Sequence, residues 1–285
     1  MNESLASCTG AIIILTSVCS IYGFRHPGFR DRYLFSVQEI LAEKQFDRLF
    51  TSAFLHADWN HLLLNMVTLF LFGRSIELSL GVGRFLLIYF AAILGGSLLS
   101  LMIHRQHEYK AYGASGGACG IVFSCILLFP GGSIMMFPLP VPLPSWLYAI
   151  LFFVGSFLAL KRQTDHIGHD AHLGGAIIGM WTTAALEPEI ARMHAKLFLT
   201  ISVLASLSFL YLAKNPLFLP LSNFLPSWPR QNPHASARSQ FQHEASEVDA
   251  ILEKISMHGI ESLTAEEKTL LDLLSKKYRR DADSK

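Results

Sequence analysis

Gly113-Ala114-Ser115-Gly116-Gly117 opens an apolar run that reaches only to Phe129. At about 1.5 Å per helical residue, a helix from Ser115 to Phe129 covers roughly 22 Å, whereas a bilayer's hydrocarbon core is roughly 30 Å thick. A helix of that length starting at mid-depth places Ser115 below the membrane surface, where polar groups are expensive and mark function by default.

Other apolar stretches lie near residues 8–24, 60–80, 83–103, 145–160, 171–186 and 195–213. Counted in order, His61, Ser115 and His172 open the second, fourth and sixth spans. Even-numbered spans run the same way, so the three residues share one side and one depth. Asn65 follows His61 by one helical turn and shares its face. A serine, a histidine and a His/Asn pair of the kind that stabilises an oxyanion are therefore expected to meet.

Composition agrees with an all-α polytopic membrane protein. Hydrophobic residues make up 51% of the chain and charged residues 16%, and the charges gather in connectors and the C-terminal tail. A net charge of +1 offers no basis for nucleic-acid binding. No signal-peptide cleavage pattern stands out, and the first apolar stretch reads as a retained span. Cys8, Cys19, Cys119 and Cys125 all fall within apolar runs and read as small buried hydrophobes, so neither a disulfide framework nor a metal ribbon is expected.

The connector from Arg25 to Asn60 mixes aromatic and charged residues and is expected to be partly helical and half sunk in the interface. The link from Pro130 to Ser145 carries five prolines and no charge, which excludes a continuous helix. Residues 1–214 are thus read as the membrane domain, 215–245 as a proline-rich polar linker and 246–280 as a small helical hairpin. In that hairpin Val248, Ile251, Leu252 and Ile255 form one stripe, and Thr264 with Glu267 has capping-box spacing before Leu270, Leu271 and Leu274. A unit of this size is too small to be stable on its core alone. It is expected to dock on itself, on the membrane domain or on a partner the sequence does not identify.

Duller readings compete at each position. Gly116 and Gly120 have GxxxG spacing, so Ser115 could sit in a close-packed helix contact. Gly175 and Gly179 repeat that spacing just after His172, which would bring the fourth and sixth spans together with Ser115 facing His172. A serine needs an adjacent base to act as a nucleophile, and His172 is the candidate. Asp170, two residues earlier, points to another helix face and is not expected to complete a triad. His166, His169 and Asp170 crowd near His172, and His169 with His172 has the spacing of a helical zinc site, but no second cluster supplies further ligands. No metal or cofactor is expected.

These residues carry a resemblance to the rhomboid family of intramembrane serine proteases. His61-Leu62-Leu63-Leu64-Asn65 resembles the family's HxxxN, Gly113-Ala114-Ser115-Gly116 its GxSG, and Ala171-His172-Leu173-Gly174-Gly175 the histidine and small-residue stretch of its sixth helix. The resemblance covers roughly residues 8–187 and implies a six-helix core, here with a seventh span, whose site opens to water on the non-cytoplasmic side. It implies Ser115 as nucleophile and His172 as general base and then acid. The oxyanion would be held by the Ser115 N–H with the side chains of His61 and Asn65. Arg48, Trp59, Gly73 and Glu77 also resemble family positions and are read as structural. The implied substrates are single-span membrane proteins in the lipid bilayer, cut in or near the spanning segment.

Cys119 departs from the family, many of whose members place an aromatic ring there against the histidine. Orientation is a second conflict. Connectors on the site's side carry Arg25, Arg30, Arg32, Lys44, Arg48, Arg105, Lys110, Lys161 and Arg162, against Arg74, Arg84, Arg192 and Lys196 opposite. The positive-inside rule would turn the site to the cytoplasm. The family pattern turns it outward and is followed here, with a bacterial plasma membrane as the expected location, because no Arg- and Ser-rich transit stretch precedes the first span. An inactive rhomboid-like protein that binds membrane helices is the rival from another class. A transporter is weaker, for want of an inverted repeat or paired broken helices.

Overall fold

The structure, a computed structural model, describes residues 7–106, 108–135, 141–162 and 168–214, together with Lys254 and Thr264. The linker at 215–245 and the helical hairpin at 246–280, those two residues aside, lie outside the described residues, as does His166.

Every expected span is a helix, with ends within a few residues of the hydropathy reading. The first, α1 (Cys8–Arg25), leads into short helices α2 (Pro27–Tyr33), α3 (Val37–Ala42) and α4 (Arg48–Thr51), with strand β1 (Phe35–Ser36) before α3. These form the mixed connector. The second span runs Trp59–Leu80 as α5 (Trp59–Thr68), a π turn at Leu69–Gly73, and α6 (Arg74–Leu80). Gly81, at φ +84°, ends it and turns the chain into α7 (Val82–His104). Strand β2 (Lys110–Ala111) pairs with β1 and delivers the chain to α8 (Ser115–Leu128). The proline-rich link holds an antiparallel pair, β3 (Ser133–Met135) with β4 (Pro142–Pro144), before α9 (Ser145–Arg162). The remaining elements are α10 (His169–Leu186), α11 (Pro188–Met193) and α12 (Ala195–Lys214).

The molecule is an all-α polytopic membrane protein with large apolar side chains outside and glycine inside. Ile14, Val18, Leu63, Phe70, Leu199 and Leu207 stand exposed, as lipid-facing residues do, while α8 is buried from Gly116 to Ala118 and from Gly120 to Leu127. Without a strong hydrophobic drive between helices in lipid, association relies on close packing, and small residues let backbones approach. Here α10 is wedged between α7 and α8. A Cβ on Gly175 would lie 2.0 Å from the Gly116 carbonyl oxygen, and one on Gly179 would lie 2.4 Å from Gly120 Cα. On the opposite face a Cβ on Gly174 would meet the Gly95 carbonyl oxygen at 2.6 Å. Deeper in this contact, buried Thr183 Oγ1 lies 2.7 Å from Ser124 Oγ, and Ser124 donates to the Gly120 carbonyl.

The helix carrying His61 is tied at its far end to α1. Glu77 accepts hydrogen bonds from the Cys8 and Thr9 backbone N–H groups and from Thr9 Oγ1, at 2.6–2.9 Å, so its carboxylate caps the start of α1. Arg48, 4% exposed, donates to the carbonyls of Asp31 and Leu34 and to Gln45. That arginine stitches the connector together instead of facing water.

Gly175→Ala is expected to prevent stable assembly of the membrane domain, because the backbone of α8 cannot yield as a flexible side chain could. Gly155→Ala on α9, where an added Cβ meets nothing within 4 Å, should instead stabilise by about 0.5–1 kcal/mol. Thermal unfolding of both variants in the same detergent checks the contrast.

Candidate active site

The turn before α8 fixes Ser115. Gly113 has φ +136°, a conformation that only glycine takes without strain, and its N–H donates to the Ser52 carbonyl at 3.0 Å. Ala114, the cap residue, has no side chain to cover the first N–H groups of α8. The helix therefore presents donors and the positive end of its dipole at Ser115, a natural site for developing negative charge.

His61 reaches the same place from α5. Asp58 caps that helix, accepting from the His61 backbone N–H at 2.9 Å. A Cβ built on Gly113 would stand 2.9 Å from His61 Nε2 and 3.6 Å from Ser115 Oγ, so the glycine's missing side chain leaves a gap bordered by both groups. Asn65 is buried one turn deeper and spends one of its two amide protons on the His61 carbonyl, at 2.9 Å.

His172 lies in the first turn of α10, its backbone N–H on the Gly168 carbonyl at 3.1 Å. A Cβ on Gly116 would be 3.2 Å from the carbonyl oxygen of Ala171, so the residue after Ser115 abuts the residue before His172. The glycine register thus sets Gly116 and Ala171, the chain neighbours of Ser115 and His172, beside one another on adjoining helices. From α9 the Phe152 ring faces His172, with centroids 6.5 Å apart and a tilt of 32°, within the range of aromatic contact. Phe152 belongs to the same apolar cluster as Cys119 and Tyr148. The aromatic neighbour absent at Cys119 therefore has a counterpart on another helix. Among the described residues no group of three or more His, Cys, Asp or Glu could hold a metal. A cavity of about 170 Å³ lined by Leu71, Phe72, Cys125 and Phe129 lies toward the other end of these helices and includes none of the four candidates.

His56 is a residue the sequence reading passed over. It is 1% exposed and lies just before α5. The Ala114 N–H donates to His56 Nε2 at 3.3 Å, so Nε2 is an acceptor and the proton sits on Nδ1, which faces Ser20 Oγ at 2.9 Å; Ser20 in turn donates to the Phe54 carbonyl. The chain is satisfied only by neutral imidazole. Burial, and secondarily the neighbouring His61, push His56 down to about 3. Its ring stands edge-on to His61 at 4.9 Å. His56 thus braces both the peptide before Ser115 and the His61 ring. Its only sequence signal is a histidine five residues before His61, and its partners lie 36 and 58 residues away.

A polytopic helical membrane protein with a half-buried serine at the start of a short helix is the class that this architecture defines. Residues 43–189 match the Rhomboid domain family, and the chain belongs to the rhomboid family. Residues 237–277 match a separate family of unknown function, DUF6576. The chain is 32% identical over 133 residues to Rhomboid protein 1, mitochondrial, of Saccharomyces cerevisiae, covering 45% of this chain and 38% of that protein. It is 33% identical over 149 residues to RHOMBOID-like protein 12, mitochondrial, of Arabidopsis thaliana, covering 46% and 43%. To Rhomboid protease GluP of Bacillus subtilis it is 32% identical over 176 residues, covering 60% and 32%. Each match spans less than half of the relative's length.

Because His56 is held neutral in the folded protein and titrates near 6.5 when unfolded, its folded value is the lowered one. The folded state then binds fewer protons, so the stability His56 supports is complete above about pH 6.5 and is lost as pH falls toward 3. His56→Gln should have a lower melting temperature at neutral pH and a shallower decline between pH 6.5 and 4. Melting curves of both proteins across that range measure it.

Proposed function

We propose that the protein is a serine endopeptidase that hydrolyses peptide bonds in or beside membrane-spanning segments of other proteins, with Ser115 and His172 as its dyad. The observation that carries this reading is the gap at Gly113, bordered by Ser115 Oγ and His61 Nε2 beside the open start of α8. Ser115 Oγ attacks the scissile carbonyl as His172 takes its proton. The tetrahedral oxyanion is received by the Ser115 N–H, His61 and Asn65. His172 then hands its proton to the leaving amine as the C–N bond breaks. Water enters, gives a proton to His172 and attacks the acyl carbon; the proton returns to Ser115 Oγ as the second product leaves.

A helical substrate hides its carbonyl behind its own hydrogen bonds and must unwind locally to be cut. Single-span proteins with Gly or Pro near the cleavage point are therefore the expected substrates. Cleavage of a tagged substrate of this kind by the full chain in liposomes should vanish in Ser115→Ala and in His172→Ala. His61→Ala and Asn65→Ala should each lower kcat by about 10²–10³, the usual loss for one oxyanion donor, with KM little changed. Retention of such substrates without cleavage would support the helix-binding alternative, and cleavage by Ser115→Ala would require another nucleophile.

For location we propose a bacterial plasma membrane with the site on the non-cytoplasmic side. GluP of Bacillus subtilis covers 60% of this chain, a larger share than either mitochondrial relative above. Arg32 pairs with Asp47 at 2.8 Å and Arg30 with Asp31 at 3.6 Å, so two of the nine cations on this side have a carboxylate partner, and a third, Arg48, is buried in the connector on the Asp31 and Leu34 carbonyls. The native cysteines all sit in spans, so Glu43→Cys, exposed in the connector, should react with a membrane-impermeant maleimide on intact cells. Reaction only after the cells are opened would reverse the orientation.

A further inference from the structure

Asp170 is a fully buried carboxylate that the dyad does not use. It is the second residue of α10, 1% exposed, and residues two apart on a helix diverge by about 200°, so it faces away from His172. Tyr109 Oη donates to Asp170 Oδ1 at 3.3 Å. His104 Nε2, from the last residue of α7, lies 3.2 Å from Oδ2, an ion-pair distance without hydrogen-bond alignment. The rings of His104 and Tyr109 stack with centroids 3.7 Å apart and planes 3° from parallel. Burial, and then the Asp170 charge, push the Tyr109 hydroxyl well above its ordinary value, which keeps it a donor.

Tyr109 is in turn held by the connector. Its carbonyl accepts from the Val37 N–H at 3.1 Å, its ring meets Phe35 edge-on, and the next residue begins β2, which pairs with β1. Six residues after Tyr109 comes Ser115, and two after Asp170 comes His172. The Tyr109 to Asp170 bond therefore joins the segment that delivers the nucleophile to the helix that carries the base. Such a tie is needed there. The faces of α8 and α10 near the site are glycine, which lets backbones touch but offers no side chain to stop rotation or sliding. The Ser124–Thr183 contact lies about two to three turns deeper.

We propose that Asp170 is a positioning residue: through Tyr109 and His104 it sets the rotation and depth of α10, and so the place of His172 relative to Ser115. This rests on the reading of Ser115 and His172 as the dyad. It assigns Asp170 no contact with substrate and no proton.

The test uses the full chain in liposomes and three readouts: kcat and KM on a tagged single-span substrate, the rate at which a small fluorophosphonate labels Ser115 by attack of Oγ on phosphorus with loss of fluoride, and the melting temperature. Wild type and Ser115→Ala come first. Absence of labelling in wild type, or cleavage by Ser115→Ala, would sink the dyad reading and this inference with it, before any positioning variant is made.

Given an active wild type, Asp170→Ala should lower both kcat and labelling rate about tenfold, since a misplacement near 1 Å can cost up to about a hundredfold, with KM within about twofold. Asp170→Asn, whose amide oxygen still accepts from Tyr109, should recover to within about threefold of wild type. Tyr109→Phe, which removes one hydroxyl, should show the same split to a smaller degree and decides the matter if Asp170→Ala does not fold. Unchanged rates per folded molecule in Tyr109→Phe and Asp170→Ala, or a loss confined to melting temperature, would make Asp170 a stability residue only and overturn the proposal.

Discussion

Backbone contact between α10 and its two neighbours is the constraint on which the rest of this structure depends. A helix that touches α8 through Gly175 and Gly179 and α7 through Gly174 lies at backbone contact with both, a distance that no Cβ at those positions would allow. In this packing Ala171 lies against Gly116, and Ser115 and His172 of the proposed dyad are the chain neighbours of that contact. In lipid the alternative to such packing is not water but another apolar surface, so a methyl group in the seam is decisive where a soluble core would absorb it elsewhere.

The same seam explains why polar side chains occur where they do. Glycine faces bring helices close but do not index them along their axes. Directional groups supply the index at two levels, Ser124 with Thr183 in the depth and the Asp170 cluster at the mouth. A buried charge is a weak source of stability once its desolvation is counted, and its best-attested use is to select one arrangement among several. Asp170 fits that use better than it fits a contribution to net stability.

Much of this was legible in the sequence. The seven apolar stretches and the two GxxxG pairs depend on composition and short spacing, and each became the expected helix or contact; the break at Pro130 was expected too, but the strand pair that follows it was not. Ser115 at the head of a short run was legible because length alone marks it. What escaped were relations between distant residues. The π turn at Leu69–Gly73 has no pattern in an all-apolar stretch, though it frees the Phe72 carbonyl that Cys125 Sγ approaches at 3.5 Å. Phe152 stands among several aromatics in an apolar run, and its ring contact with His172 joins residues 20 positions apart on different helices. Asp170 was legible only negatively, as a carboxylate on the wrong face. A charge count treats Arg48 like any other connector cation, although it is 4% exposed, because burial of a single arginine is again a relation between distant residues.

His56 shows how a physical requirement can create a residue that no motif announces. Irregular backbone below the membrane surface must have its N–H and C=O groups satisfied by protein, since lipid offers no partner. On the proposed reading, which sets Ser115 below the membrane surface, the turn at Gly113 and Ala114 is such backbone. Its two N–H groups go to the Ser52 carbonyl and to His56 Nε2. Only a neutral imidazole can accept from Ala114 on one side while donating to Ser20 on the other. A protonated ring would set two N–H groups against each other across 3.3 Å. A histidine outside the proposed dyad thus satisfies the turn that opens the start of α8, and the hydrogen-bond chain through it holds only while that histidine is uncharged.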